Sequence, residues 1–398
     1  MAEVTVPTSV PKPQRSFSLY DRDVQAIIFQ VIVLGAVVGL GWYLYSNTME
    51  NLQRRQIQTG FAFLNREAGF EIGETLIPYS AASTYGQALI VGLLNTLHVA
   101  IIGCVLATLL GVSVGIASLS RNWLLAKLTA GYIHFLRNIP VLLQIILWYN
   151  ILISDRLFPT PRQAQSYLGV FPTQRGWYFP VPDGSPGHWA ALWAFLAAIV
   201  GVLILRRWAQ ARQERTGQQF PVVWASAAML LGAPLVAWIA YGAPTGLNSP
   251  ELRGFNFSGG ARITPEFVAI LFGLTIYTSA FIGEIVRAGI LAVPKGQTEA
   301  ARALGLRDNV ILRQVILPQA LRVIIPPLTS QYLNLTKNSS LAVAVGYPDL
   351  VSAANTTLNQ TGQAPEAIII LMIVYLTISV VTAILMNWYN QRIQLVER

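Results

Sequence analysis

The residues best suited to chemistry in this chain are few, and their spacing argues against several kinds of site. His98, His134 and His188 do not have metal-ligand spacing, and the single cysteine, Cys104, cannot form an intrachain disulfide. No glycine is followed by lysine, so the phosphate-binding loop GxxxxGK[ST] is absent. No nucleophile, metal site or acid pair suggests an enzyme. We therefore expect no metal, no cofactor and no ATPase activity in the chain itself.

Charged side chains inside apolar runs are the remaining candidates. Glu284 and Arg287 lie one helical turn apart, and we favour their mutual neutralisation over substrate contact. Lys337 has no acidic residue within a turn, and it lies in a polar patch that lipid would not accommodate. We favour a lysine that organises its helix; the alternative is contact with a substrate carboxylate.

Other polar residues in apolar runs are expected to make interhelical hydrogen bonds. The residues of a candidate substrate path are Lys337, Asn334, Ser339, Ser340, Glu284, Tyr277, Gln144 and Thr96. Prolines at three positions in these runs, Pro140, Pro326 and Pro327, are expected to break or kink helices.

The elements that must position these residues are membrane helices. The chain has 54% hydrophobic and 11% charged residues and a mean hydropathy of +0.50, and its apolar residues form long runs. These runs predict an all-α membrane protein with eight spans, at about 27–45, 88–117, 132–153, 190–205, 222–241, 266–290, 323–345 and 366–388. Two glycine pairs, Gly35 with Gly39 and Gly111 with Gly115, are spaced for close helix packing.

The distribution of basic residues predicts the orientation. The net charge of +9 does not cluster with aromatic residues on one face, so we expect no nucleic-acid partner. Lysine and arginine concentrate in both tails and in 119–131, 206–221 and 291–322, which the positive-inside rule places in the cytoplasm. Segments 46–87, 154–189 and 242–265 are then external, and we expect them to be folded connecting loops.

The stretch "PKGQTEAARALGL", 294–306, predicts a short cytoplasmic helix. Thr298 or Gly296 can cap its start, and Gly305 suits the left-handed position that ends it. A second short helix, capped by Asp308 or Asn309, should stop at Pro318. The first helix has a small apolar face, formed by Ala300, Ala303 and Leu304, which suits a protein groove better than lipid.

This region resembles a known loop. The run "EAARALGLRDNVILRQVILP" (299–318) is similar to the cytoplasmic EAA loop in permease subunits of ATP-binding-cassette importers, with Val315 where isoleucine is usual. In that family the loop docks into a cleft on the ATPase subunit. The resemblance implies that the coupling residues are Gly296, Glu299, Ala300, Ala301, Leu304, Gly305 and Arg307.

Further stretches resemble amino-acid permeases. These are "FLRNIPVLLQIILWY" (135–149), "GEIVRAGILAVPKGQTEAARALGL" (283–306) and "LPQALRVIIPPLTSQYLNLTKNSSLAVAVGYPDL" (317–350). They resemble the polar-amino-acid permeases, and the larger layout resembles a permease of the general L-amino-acid systems. The resemblance implies the five-helix core of a type I importer in 88–155 and 266–390, including the coupling loop 291–322. The additional parts are the tail 1–26, the first helix 27–45, the external segment 46–87, the inserted segment 156–265 with two helices, and the tail 391–398.

The resemblance also implies function and partners. It implies a permease in the bacterial inner membrane that carries L-amino acids, with both termini in the cytoplasm. Its partners would be two copies of a cytoplasmic ATPase, a second related permease in a heterodimer, a periplasmic amino-acid-binding protein and membrane lipid. The alternative is an ion-coupled secondary amino-acid transporter, but we find no related halves with matching broken helices.

Overall fold

A computed structural model describes residues 22–54 and 59–393, so the predicted tails lie largely outside the described residues. The helices are α1 (Arg22–Arg54), α2 (Tyr85–Ala117), α3 (Trp123–Arg137), α4 (Val141–Leu152), α5 (Pro186–Thr216), α6 (Val222–Ala240), α7 (Pro265–Leu291), α8 (Lys295–Ala303), α9 (Asp308–Ile311), α10 (Leu317–Asn338), α11 (Leu350–Thr361) and α12 (Ala364–Ile393). The strands are β1 (Phe171–Thr173), β2 (Gly176–Phe179), β3 (Val181–Pro182), β4 (Leu247–Asn248), β5 (Glu251–Arg253), β6 (Asn256–Ser258) and β7 (Ala261–Ile263).

The lengths of these helices confirm a membrane protein. Seven helical segments in the described ranges are long and apolar enough to cross a membrane, if α9 to Val345 is taken as one. The pair α3 and α4 would form an eighth span, but the two helices meet at an angle of 102°. The span predicted at 132–153 is therefore divided, and α3 begins well before it. Pro140 lacks an N–H group and keeps Ile139 out of helical geometry, which explains the break expected there.

The core is built around α7, which contacts α2, α3, α4 and α10. Close approach of α2 depends on two of its glycines. A Cβ atom on Gly111 would lie 2.6 Å from Cβ of Ile282, and one on Gly115 would lie 2.7 Å from the carbonyl oxygen of Gly283. These glycines thus have the packing role predicted for them. Gly35 and Gly39 of α1 have no atom of the described chain within 4 Å of a built Cβ.

The segment that leads into α10 differs from the prediction. A π turn, Leu312–Ile316, joins α9 to α10, and helical structure continues through Pro318. The predicted stop at Pro318 is therefore wrong. The reason is that the π turn directly before Pro318 changes the hydrogen-bond spacing there, so the helix continues past the missing N–H group. Pro326 and Pro327 lie inside α10, so they do not break the helix, and the other expected effect, a kink, stays a prediction.

The inserted segment folds largely on itself. Its two helices, α5 and α6, pack against each other, and strand β2 pairs with β1 and β7 in an antiparallel sheet. Strands β3 and β4 pair where the chain enters and leaves the helices. The segment is therefore a helical hairpin whose two ends connect to short antiparallel β-strands.

One end of the bundle is formed by the first turns of α2 and α7, and we call it the distal end because α8 follows the opposite end of α7. Segment 59–84 covers part of it. Phe63 is fully buried in a cluster with Tyr85, and the amide of Gly60 donates to Oε1 of Glu366 at 2.7 Å. Helix α11, which we did not predict, packs here between α2 and α12.

Candidate functional site

Helix α8 lies between the end of α7 and the start of α9. Pro294 is its N-cap residue and no side chain among the described residues caps it, so the prediction that Thr298 or Gly296 caps the helix is wrong. The helix instead starts directly after Pro294, whose φ of −59° is already suited to a helix start. At the other end Gly305 has a φ of +74°, the left-handed conformation predicted for it.

The two sides of α8 have different surroundings. Ala301 is buried at 5% exposure and faces the rest of the chain, whereas Leu304 is 80% exposed. Ala300, Ala303 and Glu299 are also exposed. The predicted face of small apolar residues therefore points away from the described chain.

Polar contacts fix the position of α8. The guanidinium of Arg302 donates to Oδ1 of Asp308 at 3.3 Å, and Nε2 of Gln319 donates to Oε1 of Gln297 at 3.5 Å. Asp308 is the first residue of α9 rather than its cap, because Arg307 occupies the N-cap position. The predicted capping by Asp308 or Asn309 is therefore wrong.

Lys337 and Asn334 are exposed on α10. Together with Ser340, Lys337 lines a cavity of about 360 Å³ whose other walls are Val351, Leu371, Met372 and Tyr375. The Ser340 hydroxyl donates to the carbonyl of Lys337 at 2.7 Å. Within the described ranges no carboxylate lies in ion-pair distance of Lys337. The lysine thus faces open space beside the hydroxyl groups of Ser340 and Tyr375.

Two further predicted path residues lie close to this cavity. The Thr96 hydroxyl donates to Gly92 at 3.0 Å and accepts from the amide of Leu350 at 3.1 Å, which joins α2 to α11. Ser339 is buried, and the Tyr375 hydroxyl lies close to both Ser339 and Thr96. The fold therefore brings together near Lys337 a hydroxyl group from α2, one from α12 and one from the residue that follows α10.

The remaining predicted path residues are elsewhere and make structural contacts. Glu284 and Arg287 form the predicted pair, with a nitrogen–oxygen distance of 2.6 Å. Nε2 of Gln144 donates to the carbonyls of Leu136 and Ile139 at 3.0 and 3.1 Å, so it satisfies backbone groups freed at the α3–α4 break. The Tyr277 ring packs against Phe281 at a centroid distance of 4.9 Å.

Sequence reasoning missed a polar cavity of about 350 Å³ at the distal end. It lies between segment 59–84, the start of α7 and the start of α11. Thr264 is the N-cap residue of α7, and its hydroxyl donates to Oε2 of Glu74 at 2.6 Å. Burial raises the pKa of Glu74. The capping pattern Thr264–Pro265 could have located the helix start, but not the contact with Glu74, 190 residues away.

Buried Asp349 was also missed. It caps α11 by accepting from the amide of Ser352 at 2.8 Å, and its Oδ2 has no hydrogen-bond partner among the described residues. Burial raises the pKa of Asp349 to about 7. An aspartate at the N-cap of a helix could have been recognised from sequence, but its complete burial could not.

Known proteins resemble this chain over nearly its whole length. It is 47% identical over 382 residues to the general L-amino acid transport system permease protein AapQ of Rhizobium johnstonii, covering 96% of this chain and 95% of that protein. It is 52% identical over 385 residues to the putative amino-acid ABC transporter permease protein YhdX of Escherichia coli, covering 96% and 98%. It is 43% identical over 417 residues to the glutamate/glutamine/aspartate/asparagine transport system permease protein BztB of Rhodobacter capsulatus, covering 96% and 97%.

The profile of one protein family matches the second half of the chain. It covers residues 215–395, which include α7, α8 and the α9–α12 segment, and its description is "Binding-protein-dependent transport system inner membrane component". Since the long helices, the exposed α8 and the full-length relatives agree with this match, the chain belongs to the family of inner membrane components of binding-protein-dependent transport systems.

Proposed function

We propose that this protein is the permease subunit of an ATP-driven uptake system for L-amino acids. The relatives at 43% to 52% identity are permeases of amino-acid transport systems, and they match this chain from end to end. The chain provides the membrane path, and a partner ATPase hydrolyses ATP. The alternative, an ion-coupled secondary transporter, has no support from these relatives.

The observation that carries the proposal is the exposed face of α8. A short helix bounded by Pro294 and a left-handed Gly305 presents Ala300 and Leu304 outward, while buried Ala301 and the Arg302–Asp308 pair hold it in place. Small outward side chains allow close approach of a groove on another protein. We assign coupling to the ATPase to the residues predicted for it. The residues that would contact the ATPase are Gly296, Glu299, Ala300, Leu304, Gly305 and Arg307. Buried Ala301 acts instead by packing α8 against the rest of the chain.

Members of this family work with ATPase subunits and a substrate-binding protein. We propose that two ATPase copies bind, one at α8 of this chain and one at the equivalent helix of a second, related permease. In support, α12 buries only one side against its neighbours, and Met372 and Leu376 remain 67% and 65% exposed. A related helix could cover this surface in a heterodimer.

The proposed orientation places α8 and both termini in the cytoplasm and the distal end outside an inner membrane. The positive-inside rule supports it, because the last turns of α5 and the segment that contains α8 are both rich in lysine and arginine. A periplasmic binding protein would then deliver its amino acid to the distal end.

Disulfide or thiol cross-linking tests the α8 assignment in the complete complex. With Cys104 replaced by serine, a cysteine at Leu304 should cross-link to a co-expressed ATPase subunit. A cysteine at Trp224, which is 79% exposed at the start of α6, is the matched control because Leu304 is 80% exposed. Cross-linking from Leu304 but not Trp224 is the expected result.

Two outcomes would contradict the proposal. Absence of an ATPase from the purified complex would exclude an ATP-driven permease. Equal cross-linking from both positions would show that exposure alone explains the reaction. It would contradict the assignment of ATPase contact to α8.

A further inference from the structure

Helix α5 is longer than a membrane crossing requires, and its excess length is basic. The helix has 31 residues and rises about 46 Å, whereas about 20 residues cross the hydrocarbon core. Its apolar run ends at Leu205, and four arginines and one glutamate follow within residues 206–216. We call this segment, 206–216, the arginine end. Its formal net charge is +3, from four arginines minus one glutamate.

Exposed tryptophans show where the arginine end meets the membrane surface. In the antiparallel pair of α5 and α6, a Cβ atom on Gly201 would lie 2.5 Å from Cε of Met229. This register places Trp224 of α6 level with Arg206. Trp224 is 79% exposed, and Trp208 on α5 is 49% exposed. Because exposed tryptophans are typical of the membrane–water interface, the arginine end begins at the level of the lipid head groups.

The arginines of this segment have no carboxylate partner within the described ranges. Arg206, Arg207 and Arg215 are exposed, and no described carboxylate lies in ion-pair distance of them or of Arg212. Arg212 instead stacks on Trp208, with its guanidinium carbon 5.4 Å from a ring centroid. Three guanidinium groups therefore remain free to bind an anion from outside the described chain.

The arginines surround α5 and do not share one face. At about 100° per residue, Arg206 and Arg212 lie on the two flanks of the side that carries buried Ala209. Arg207 and Arg215 lie on the opposite side of the helix. A groove on a protein would contact one face, whereas a membrane surface can contact several sides of a helix that crosses it. Side chains of α5 also slant toward its N-terminus, which is toward the membrane.

We propose that the arginine end binds the phosphate groups of anionic phospholipids. Guanidinium groups bind phosphate oxygens through paired N–H donors, and four basic residues directly after a membrane helix are typical of anionic head-group binding. Bound lipids would hold the α5–α6 hairpin at a fixed depth beside the core. The inference requires only a membrane location and does not depend on the proposed function.

Energy transfer from the hairpin to labelled lipids tests this proposal in the complete complex. In a chain with Cys104→Ser, the variant Gln219→Cys carries a donor fluorophore at an exposed position just after the arginine end. The vesicles contain phosphatidylcholine with a minority of phosphatidylglycerol, and the same amount of acceptor is attached to the acyl chain of one lipid or the other. Comparison of the two transfers gives the local ratio of the lipids around the hairpin.

We expect phosphatidylglycerol to be enriched around the wild-type hairpin. An arginine near an anionic surface strengthens binding by roughly fivefold, so the local ratio should exceed the bulk ratio by roughly fivefold or more. High salt should reduce the enrichment, because exposed charges are screened.

Two matched variants locate the effect. The first combines Arg206→Gln, Arg207→Gln and Arg215→Gln. Arg212 and Glu214 remain, so the segment has no net charge and the enrichment should disappear. The second has lysine at the same three positions. It keeps the charge and should retain most of the enrichment, which separates loss of charge from loss of structure.

Four outcomes would overturn the proposal. An equal distribution of the two lipids around the wild-type hairpin, an enrichment that persists in the glutamine variant, and its loss in the lysine variant each exclude phosphate binding by these charges. Equal distribution together with cross-linking of the cysteine at position 219 to the ATPase would assign the arginine end to a protein interface instead. None of these outcomes bears on the proposed function, because the measurement involves neither transport nor ATP.

Discussion

Charged residues within the apolar helices are accommodated in two different ways. Glu284 and Arg287 bind each other across one turn of α7, with contacts of 2.6 and 3.0 Å, and each neutralises the other. Lys337 has no such partner in the described chain and faces a cavity. An unpaired charge in the membrane costs about 2.5 to 3.5 kcal/mol on insertion scales, so Lys337 must gain from water, carbonyls or a ligand.

Substitution of Lys337 by methionine separates two roles for this residue. If Lys337 binds the substrate carboxylate, Lys337→Met should raise the apparent substrate constant by roughly tenfold or more, the loss of a charge-assisted hydrogen bond, with assembly and basal ATPase activity intact. If it organises α10, assembly or basal ATPase activity should fail instead. Uptake kinetics and ATPase assays on the complex distinguish these results. Normal behaviour in all assays would contradict both roles.

Buried Asp349 makes the stability of the distal end depend on pH. Its pKa is about 7 in the fold and lower in the unfolded chain, so the folded state binds more protons between these two values. Stability should therefore rise as pH falls through 7, with the gain complete below the ordinary aspartate pKa. The charged or titratable groups that interact with it are Tyr347 and Tyr375, and Glu74 acts on Tyr347.

The variant Asp349→Asn tests this dependence because asparagine also caps helices but does not ionise. Hydrogen exchange of the α11 amides, corrected for intrinsic rates, should be slower at about pH 5.5 than at about pH 8 in the wild-type protein. The difference should be lost in the variant. A variant that retains the wild-type difference would show that another group titrates.

At the scale of elements, Gly305 controls the direction of the chain after α8. A residue other than glycine in the left-handed conformation costs about 1 to 2 kcal/mol. Because no atom of the described chain beyond its own neighbours lies within 4 Å of a Cβ built on Gly305, Gly305→Val should strain the backbone without a steric clash. We expect it to tilt α8 relative to α9 and to reduce ATPase stimulation by loaded binding protein severalfold.

Gly217→Val is the matched control for this variant. Gly217 has a φ of +70° at the end of α5, and a Cβ built on it also has no atom of the described chain within 4 Å. Both variants should lose similar thermal stability, but only Gly305→Val should lose coupling. If loaded binding protein stimulates ATPase activity equally in the two purified variant complexes, Gly305 has no role in coupling.

At the scale of the molecule, the chain consists of a core around α7 and parts that add to it. Helix α1 exposes most of its side chains, and α5 and α6 pack chiefly against each other. Large apolar side chains remain exposed on this hairpin, for example Trp193 at 65%, Leu203 at 58% and Val236 at 67%. The arrangement favours a peripheral position for the hairpin, away from the substrate path.

Removal of the α5–α6 hairpin should therefore leave the core able to fold and assemble. The amide of Asp183 donates to the carbonyl of Gly246 at 3.1 Å, so a short glycine turn can replace residues 184–245. We expect ATPase association and uptake to persist. Deletion of α11, which packs on α2 and α12, should abolish both. Loss of uptake in a hairpin deletion that still binds the ATPase would place the hairpin in the transport path.

Features that depend on neighbouring residues could be predicted from the sequence alone. The membrane helices follow from long apolar runs, the Glu284–Arg287 pair from a three-residue spacing, and the left-handed turn from Gly305 after a helix. The resemblance at 299–318 supplied the proposed partner. Local rules failed at Pro318, because a π turn directly before it lets the helix continue past the proline.

Features that depend on distant residues were decided only by the tertiary structure. Nothing local marks α7 as the central helix, since its burial results from glycines on α2 that let the two helices approach. The distal cavity joins Glu74 to Thr264 and Asn95 to Pro348, pairs separated by 190 and 253 residues. Hydropathy cannot predict such contacts, because burial and hydrogen bonding of a polar group depend on which segments meet around it.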